Sequence, residues 1–288
     1  MSHNETWVER FMDELTFRGA RPRTKAAYQA RLGVFLEYIG DTPLEEVKRA
    51  QCMDFLNDLG LSASSTHAYI TTLKSMGRFL EADLFDQGWR NVFNTLRYPK
   101  LEAYEPLILT VQQVKAMIDW MPKRSPTQKR ERAMVMTLYS TGLRCTELAD
   151  LKLEDVDVEA REVYVADGKG GKSRWTVIDK HTAEAIEAWL AVRHRFQNAD
   201  SPYLFIGRGT PHMSRRSVYN VVSAAAERID EDASPHTLRR SRATHLREAN
   251  VPLDVIQKML GHSSSGVTST HYVKFGPEFI QSALEAAL

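Results

Sequence analysis

The chain has 288 residues, of which 43% are hydrophobic and 26% charged, with a formal net charge of +1. That is the make-up of a globular, water-soluble protein of one large or two ordinary domains. No apolar run reaches the ~20 residues that cross a bilayer, the first residues mix charges and hold no signal-peptide core, and Cys52 and Cys145 stand far apart in no metal-like spacing, so a disulfide framework is excluded and a reducing cytoplasm is expected.

The first hundred residues read as helices. Residues 23–40 place Tyr28, Leu32, Phe35, Leu36 and Ile39 at helical spacing and stop at Gly40. Residues 42–60 open with a Thr cap and Pro43 and close on Gly60, and residues 62–82 open on Ser62 and carry another amphipathic stripe. Pro99 and Pro106 then forbid a continuous helix, which marks residues 98–108 as a connector. A second domain starts at Thr110, which caps a helix with Val114, Met117 and Ile118 facing inward. Helices run on to about Leu148. Two short alternating stretches, EVYVAD at 162–167 and RWTVID at 174–179, flank the glycine-rich GKGGKS, the pattern of a β-hairpin. Helices resume from 181 to the end, broken by SPYLFIGRGTP. The expected fold is mainly α with a small antiparallel sheet, in two domains, 1–97 and 109–288, joined by the linker 98–108.

The small net charge hides clustering. Arg18, Arg21, Arg23, Lys25 and Arg31 occur with no acid between them, and KRSPTQKRER (123–132), RGTPHMSRR (208–216) and HTLRRSRATHLR (236–247) are further basic runs. One such run is ordinarily a solvated face. Four of them, separated by acidic stretches, suggest positive charge gathered on one surface, and local potential rather than net charge governs phosphate binding.

Four short pieces of the second domain hold groups that can do chemistry. TGLRCTEL places Arg144 just past a helix break at Gly142, where an arginine can equally bond helix-end carbonyls. GKGGKSR places Lys169 and Lys172 in a turn, where a lysine is ordinarily solvent decoration. In PHTLRRSRATH, Pro235 starts a helix on which His236 and Arg239 share a face. GHSSSGVTSTHY carries His262 and ends on Tyr272; on its own it is a polar loop with a surface tyrosine. The histidines lack zinc spacing, because nine residues from His236 to His245 is about two and a half helical turns and puts them on opposite faces. No carboxylate pair, Ser-His-Asp order or P-loop is present. Two arginines, which bind phosphate bidentately, and a lysine describe a phosphodiester site, and a tyrosine beside them is a nucleophile candidate.

The order Arg144, Lys169, His236-x-x-Arg239, His262 and Tyr272 resembles the tyrosine recombinase (phage integrase) family, and the four boxes quoted above each resemble that family's motifs over roughly 110–288. The helical 1–97 is similar to the family's core-DNA-binding domain. Departures are Cys145-Thr146 in place of the usual Ile-Ser, Arg240 where His is common, and a His262-to-Tyr272 interval one residue longer than usual. The chain looks like the compact, Xer-type form without an arm-binding domain.

The resemblance implies a C-shaped clamp of two domains around double-stranded DNA and a site-specific recombinase that needs neither metal nor cofactor. Tyr272 would form a 3′-phosphotyrosyl bond. Arg144 and Arg239 would hold the non-bridging oxygens, Lys169 would protonate the leaving 5′-oxygen, His236 would take the tyrosine proton and His262 would bond the phosphate. Arg21, Arg23, Lys25, Lys172, Arg174, Arg215 and Arg216 would contact the DNA backbone. Glu147 would orient the site or form an ordinary surface salt bridge. The last residues, GPEFIQSALEAAL, would form a helix docked on a neighbouring protomer of a homotetramer, or on their own domain. A type IB topoisomerase-like enzyme and a catalytically silent DNA-binding protein are the alternatives.

Overall fold

The computed structural model describes residues 2–84, 86, 88–102, 105–166 and 173–261. The chain divides into two compact units, Met1–Tyr104 and Glu105–Leu288.

In the first unit, four helices surround one apolar core: α1 (His3–Phe17), α2 (Pro22–Ile39), α3 (Arg49–Asp58) and α4 (Ala63–Asp83). Ser2 caps α1 and forms a reciprocal capping box with Glu5. Trp7, Phe11 and Leu15, four apart, turn inward onto Leu32, Phe35, Phe55, Leu73, Met76 and Phe79. The helix expected from residue 42 begins only at Arg49. Residues 42–48 form turns instead, because Leu44 and Val47 plug the core and the Asn4 amide holds the Thr42 carbonyl and the Leu44 N–H at 2.9 Å each.

The second unit is built around α6 (Pro126–Thr141), whose residues 133–141 are all buried. A helix apolar all round belongs at the centre of a unit. Packed on it are α5 (Val111–Asp119), α7 (Cys145–Ala149), α8 (Lys180–Arg193), α9 (Arg215–Ala226) and α10 (Pro235–Glu248). Thr110 caps α5 as its sequence predicts. Strands β1 (Val156–Asp157), β2 (Glu162–Val165) and β3 (Arg174–Val177) form an antiparallel sheet in that order, with Tyr164 opposite Trp175 and Val165 opposite Arg174. The hairpin was legible; the two-residue β1 was not, being shorter than any alternating pattern.

A smaller cluster, Val177, Leu246, Val251, Val255, Ile256, Met259 and Leu260, packs α11 (Leu253–Leu260) against α10 and β3. It brings the end of α11 to the start of β3. Among the described residues, no helix is long and apolar enough to cross a membrane.

Not every residue of the basic runs faces solvent. Arg130 is buried and donates to the Ile206 carbonyl at 2.7 Å, and Arg239, Arg242 and His245 are buried along α10. The runs are therefore mixtures of surface charge and interior polar groups.

Candidate active site

The site forms where α6 ends, α7 and α10 begin, and α11 stops. Gly142 terminates α6 with φ +62°, a left-handed conformation that glycine adopts without a Cβ penalty. Its bare Cα also admits Leu260, whose Cδ2 would lie 2.3 Å from a Cβ placed there. Two residues later Arg144 occupies the N-cap position of α7.

Glu147 is the anionic centre of the arrangement. Its Oε1 accepts from Arg144 Nη1 at 2.6 Å and Arg174 Nη1 at 3.1 Å. Its Oε2 accepts from the Arg144 backbone N–H at 2.8 Å and Arg174 Nη2 at 2.7 Å. Burial alone would raise this carboxyl; hydrogen bonds from Arg174 and Arg144 overcome burial and hold it at about 2. It is an interior carboxylate, and the expectation of an ordinary surface salt bridge does not hold for it.

Three successive carbonyls at the end of α11 are each taken by an arginine. Arg174 Nε donates to Met259 O at 2.8 Å, Arg239 Nη2 donates to Leu260 O, and Arg144 Nη2 makes a long contact of 3.5 Å to Gly261 O. Arg239 Nη1 donates to Gly142 O as well. Positive side chains on the electronegative end of a helix satisfy its orphan carbonyls and its dipole together. Arg144 and Arg239 thus converge on one place, each with donors to spare, since a guanidinium carries five N–H groups.

His236 lies on the first turn of α10, one turn before Arg239, and its ring is exposed. Partial burial, then the charges of Arg240, Arg239, Arg144 and Arg215, lower its pKa, which favours the neutral ring. Arg239 is lowered to about 10 by burial first and by Arg144 next, and keeps its charge at neutral pH. The described part of the site is therefore a cluster of guanidinium groups around one carboxylate, with the His236 imidazole at its edge. Among the described residues no group of His, Cys, Asp and Glu suits a metal ion.

Of the residues singled out from sequence, Arg144, His236 and Arg239 come together here. Lys169, Lys172, His262 and Tyr272 lie outside the described residues. Arg215 and Arg216 are exposed on the first turn of α9; in the first unit Arg21 is exposed at the N-cap of α2, Arg23 is exposed and Lys25 half-exposed on α2, and Lys25 donates to Thr16 Oγ1 at 2.8 Å. Arg174 departs from the expected phosphate contact. It is buried, and its donors are committed to Glu147 and Met259. The alternation of β3 carried the signal, because Arg174 shares the inward face with Thr176 while Trp175 points out.

The phage integrase family matches residues 108–277, and the N-terminal SAM-like domain of phage integrases matches residues 8–84. The chain belongs to the phage integrase family. It is a tyrosine recombinase. It is 32% identical over 290 residues to tyrosine recombinase XerA of Thermococcus kodakarensis, covering 100% of this chain and 97% of that protein. It is 33% identical to tyrosine recombinase XerD of Chlorobaculum tepidum, covering 90% of each. In fold the recombinase is similar to a lambda integrase tetramer bound to a Holliday junction, with a TM-score of 0.73 and 18% identity over 94% of this chain and 80% of that one. It is also similar to the Tn1549 transposon integrase in complex with transposon right end DNA, with a TM-score of 0.72 and 17% identity over 91% and 92% of the two chains.

Proposed function

We propose that this recombinase binds double-stranded DNA and breaks and rejoins one strand at a time through Tyr272. The Tyr272 oxygen attacks the scissile phosphorus, the P–O5′ bond breaks, and the 3′-phosphate stays on the enzyme. The phenolic proton passes to His236, and Lys169 supplies a proton to the departing 5′-oxygen, which leaves as a hydroxyl. The phosphotyrosyl linkage conserves the bond energy, so rejoining is the same reaction run backwards with a 5′-hydroxyl as nucleophile.

The observation that carries this reading is the convergence of Arg144 and Arg239 at the last carbonyls of α11, from which the chain runs on to His262 and Tyr272. Their remaining N–H groups suit the non-bridging oxygens, whose charge grows in the pentavalent transition state. One pre-placed donor of this kind is worth about 3–4 kcal/mol of barrier. A phenol with pKa near 10 needs a base or a positive field. The lowered pKa of His236 favours the neutral ring that can accept a proton, and the arginines supply the field.

Backbone contacts away from the scissile phosphate fall to Arg21, Arg23, Lys25, Lys172, Arg215 and Arg216, and His262 adds a hydrogen bond to the phosphate. The working assembly is a homotetramer on paired sites in the cytoplasm, with the C-terminal helix exchanged between protomers. No observation favours a topoisomerase or a silent DNA-binding protein.

The test is a nicked suicide duplex carrying the target site. The wild type is expected to form a denaturation-resistant protein–DNA adduct and Tyr272→Phe none. DNA binding by the wild type without any adduct would overturn the catalytic reading, and an adduct with Tyr272→Phe would overturn the choice of nucleophile.

A further inference from the structure

Arg174 opens β3 five residues after Lys169, and its guanidinium reaches two places at once. Nη1 and Nη2 take both oxygens of Glu147 at 3.1 and 2.7 Å, and Nε takes the Met259 carbonyl at 2.8 Å. We propose that Arg174 is a positioning residue for DNA cleavage: it holds Glu147, and through Glu147 the guanidinium of Arg144, while pinning the end of α11 from which the nucleophile's segment departs. This rests on the assignment of Arg144 to the scissile phosphate.

The geometry leaves Arg174 little other work. Its side chain is 7% exposed, and its Nε, Nη1 and Nη2 all bond Glu147 or the Met259 carbonyl. Glu147 accepts four hydrogen bonds, two from each arginine's residue, which fills a carboxylate's capacity. Without Arg174, Arg144 would lean on a buried carboxylate that has lost its bidentate partner, and a carboxyl so placed gains its proton more readily. The charged groups facing Glu147 are Arg144 at the start of α7, Arg174 from β3 and Arg239 from α10; α11 contributes backbone carbonyls. Arg174 also packs on Gly261: a Cβ there would lie 2.9 Å from Nη1 and 3.1 Å from Cδ. A lysine at 174 keeps the charge and loses the planar fork, and cannot serve Glu147 and Met259 together.

The experiment is single-turnover cleavage of the nicked suicide duplex at saturating DNA, across pH, for wild type, Arg174→Lys, Arg174→Gln, Glu147→Gln and the Glu147→Gln/Arg174→Gln double variant. Duplex affinity is measured in parallel across salt. Both Arg174 variants are expected to cleave roughly ten- to a hundredfold more slowly, the scale of a misplaced reacting group, with unchanged affinity and salt dependence. Arg174→Lys should also move the acid limb of the rate profile to higher pH. The double variant should be no slower than the slower single one, because both changes cut the same chain of contacts. A salt slope reduced by about 0.9 with normal cleavage at saturation would instead make Arg174 a phosphate contact. Losses that multiply in the double variant, or unchanged cleavage, would equally overturn the proposal. If Arg174→Gln melts below the assay temperature, Arg174→Lys decides. A wild type that forms no adduct counts against the proposed function and not against this brace.

Discussion

The phenol of Tyr139 on α6 meets Nδ1 of His245 on α10 at 2.8 Å, and the other ring nitrogen, Nε2, lies 2.8 Å from the Leu109 carbonyl. The carbonyl can only accept, so Nε2 carries the proton and Nδ1 takes the phenol's. Both partners are buried and mutually satisfied. Tyr139→Phe strands Nδ1 in the interior, and an unfolding midpoint should report a loss of about 1–3 kcal/mol. Because this contact ties the helix carrying His236 and Arg239 to the central helix, the variant should also cleave more slowly at the higher end of its stable temperature range.

The neighbouring Arg242 behaves in the opposite way. It is wholly buried, its three nitrogens have no well-aligned hydrogen bond among the described residues, and its charge is met by the Tyr139 ring at 5.1 Å and by Asp179. Burying a charge so thinly compensated is costly. Arg242→Leu is expected to leave the fold intact and to stabilise it by about 1–3 kcal/mol in thermal unfolding.

Glu147 sets an acid limit on stability. Its folded pKa of about 2 lies below the ordinary carboxylate range. Its contribution is therefore complete above pH ~4.5 and is lost as pH falls toward ~2, amounting to about 3 kcal/mol over that window. Urea midpoints taken from pH 6 downward should fall more steeply in the wild type than in Glu147→Gln.

Arg215 is one of the charges that lower the pKa of His236. With His236 as the proposed base, Arg215→Ala should raise its pKa and move the acid limit of cleavage upward. A proton NMR titration of the His236 ring reads the same shift without DNA.

At Gly261, φ is +65° and a Cβ would press on Arg174. Gly261→Ala is expected to cost about 1–3 kcal/mol of stability through backbone strain alone. It should also slow cleavage through the displaced Arg174, which a suicide-substrate time course would detect.

Caps, helical spacing and an i,i+3 pair are local signals, so the helices, the hairpin and the pairing of His236 with Arg239 were legible in the sequence, whereas Arg144 joined that pair only through the resemblance to a family. It did not reveal the late start of α3, where Leu44 and Val47 find the core from a turn, and tertiary burial overrides the Thr-Pro start signal. Nor did it show that Glu147 and Arg174 face each other. They lie 27 residues apart, and the hydrogen bonds that join them are long-range contacts between the start of β3 and α7. Basic runs misled for a related reason: Arg130, Arg239 and Arg242 are long enough to place their charge inside the protein, and residue type alone does not say which arginines do so.

The arginine-held end of α11 gives the chain that runs on to Tyr272 a fixed point of departure. From Gly261 to Tyr272 is eleven residues, a span of at most about 36–40 Å when fully drawn out. With Tyr272 as the proposed nucleophile, its reach is set by chain length measured from an anchored root, so deleting residues within 262–271 should reduce adduct formation while leaving Arg144 and Arg239 in place.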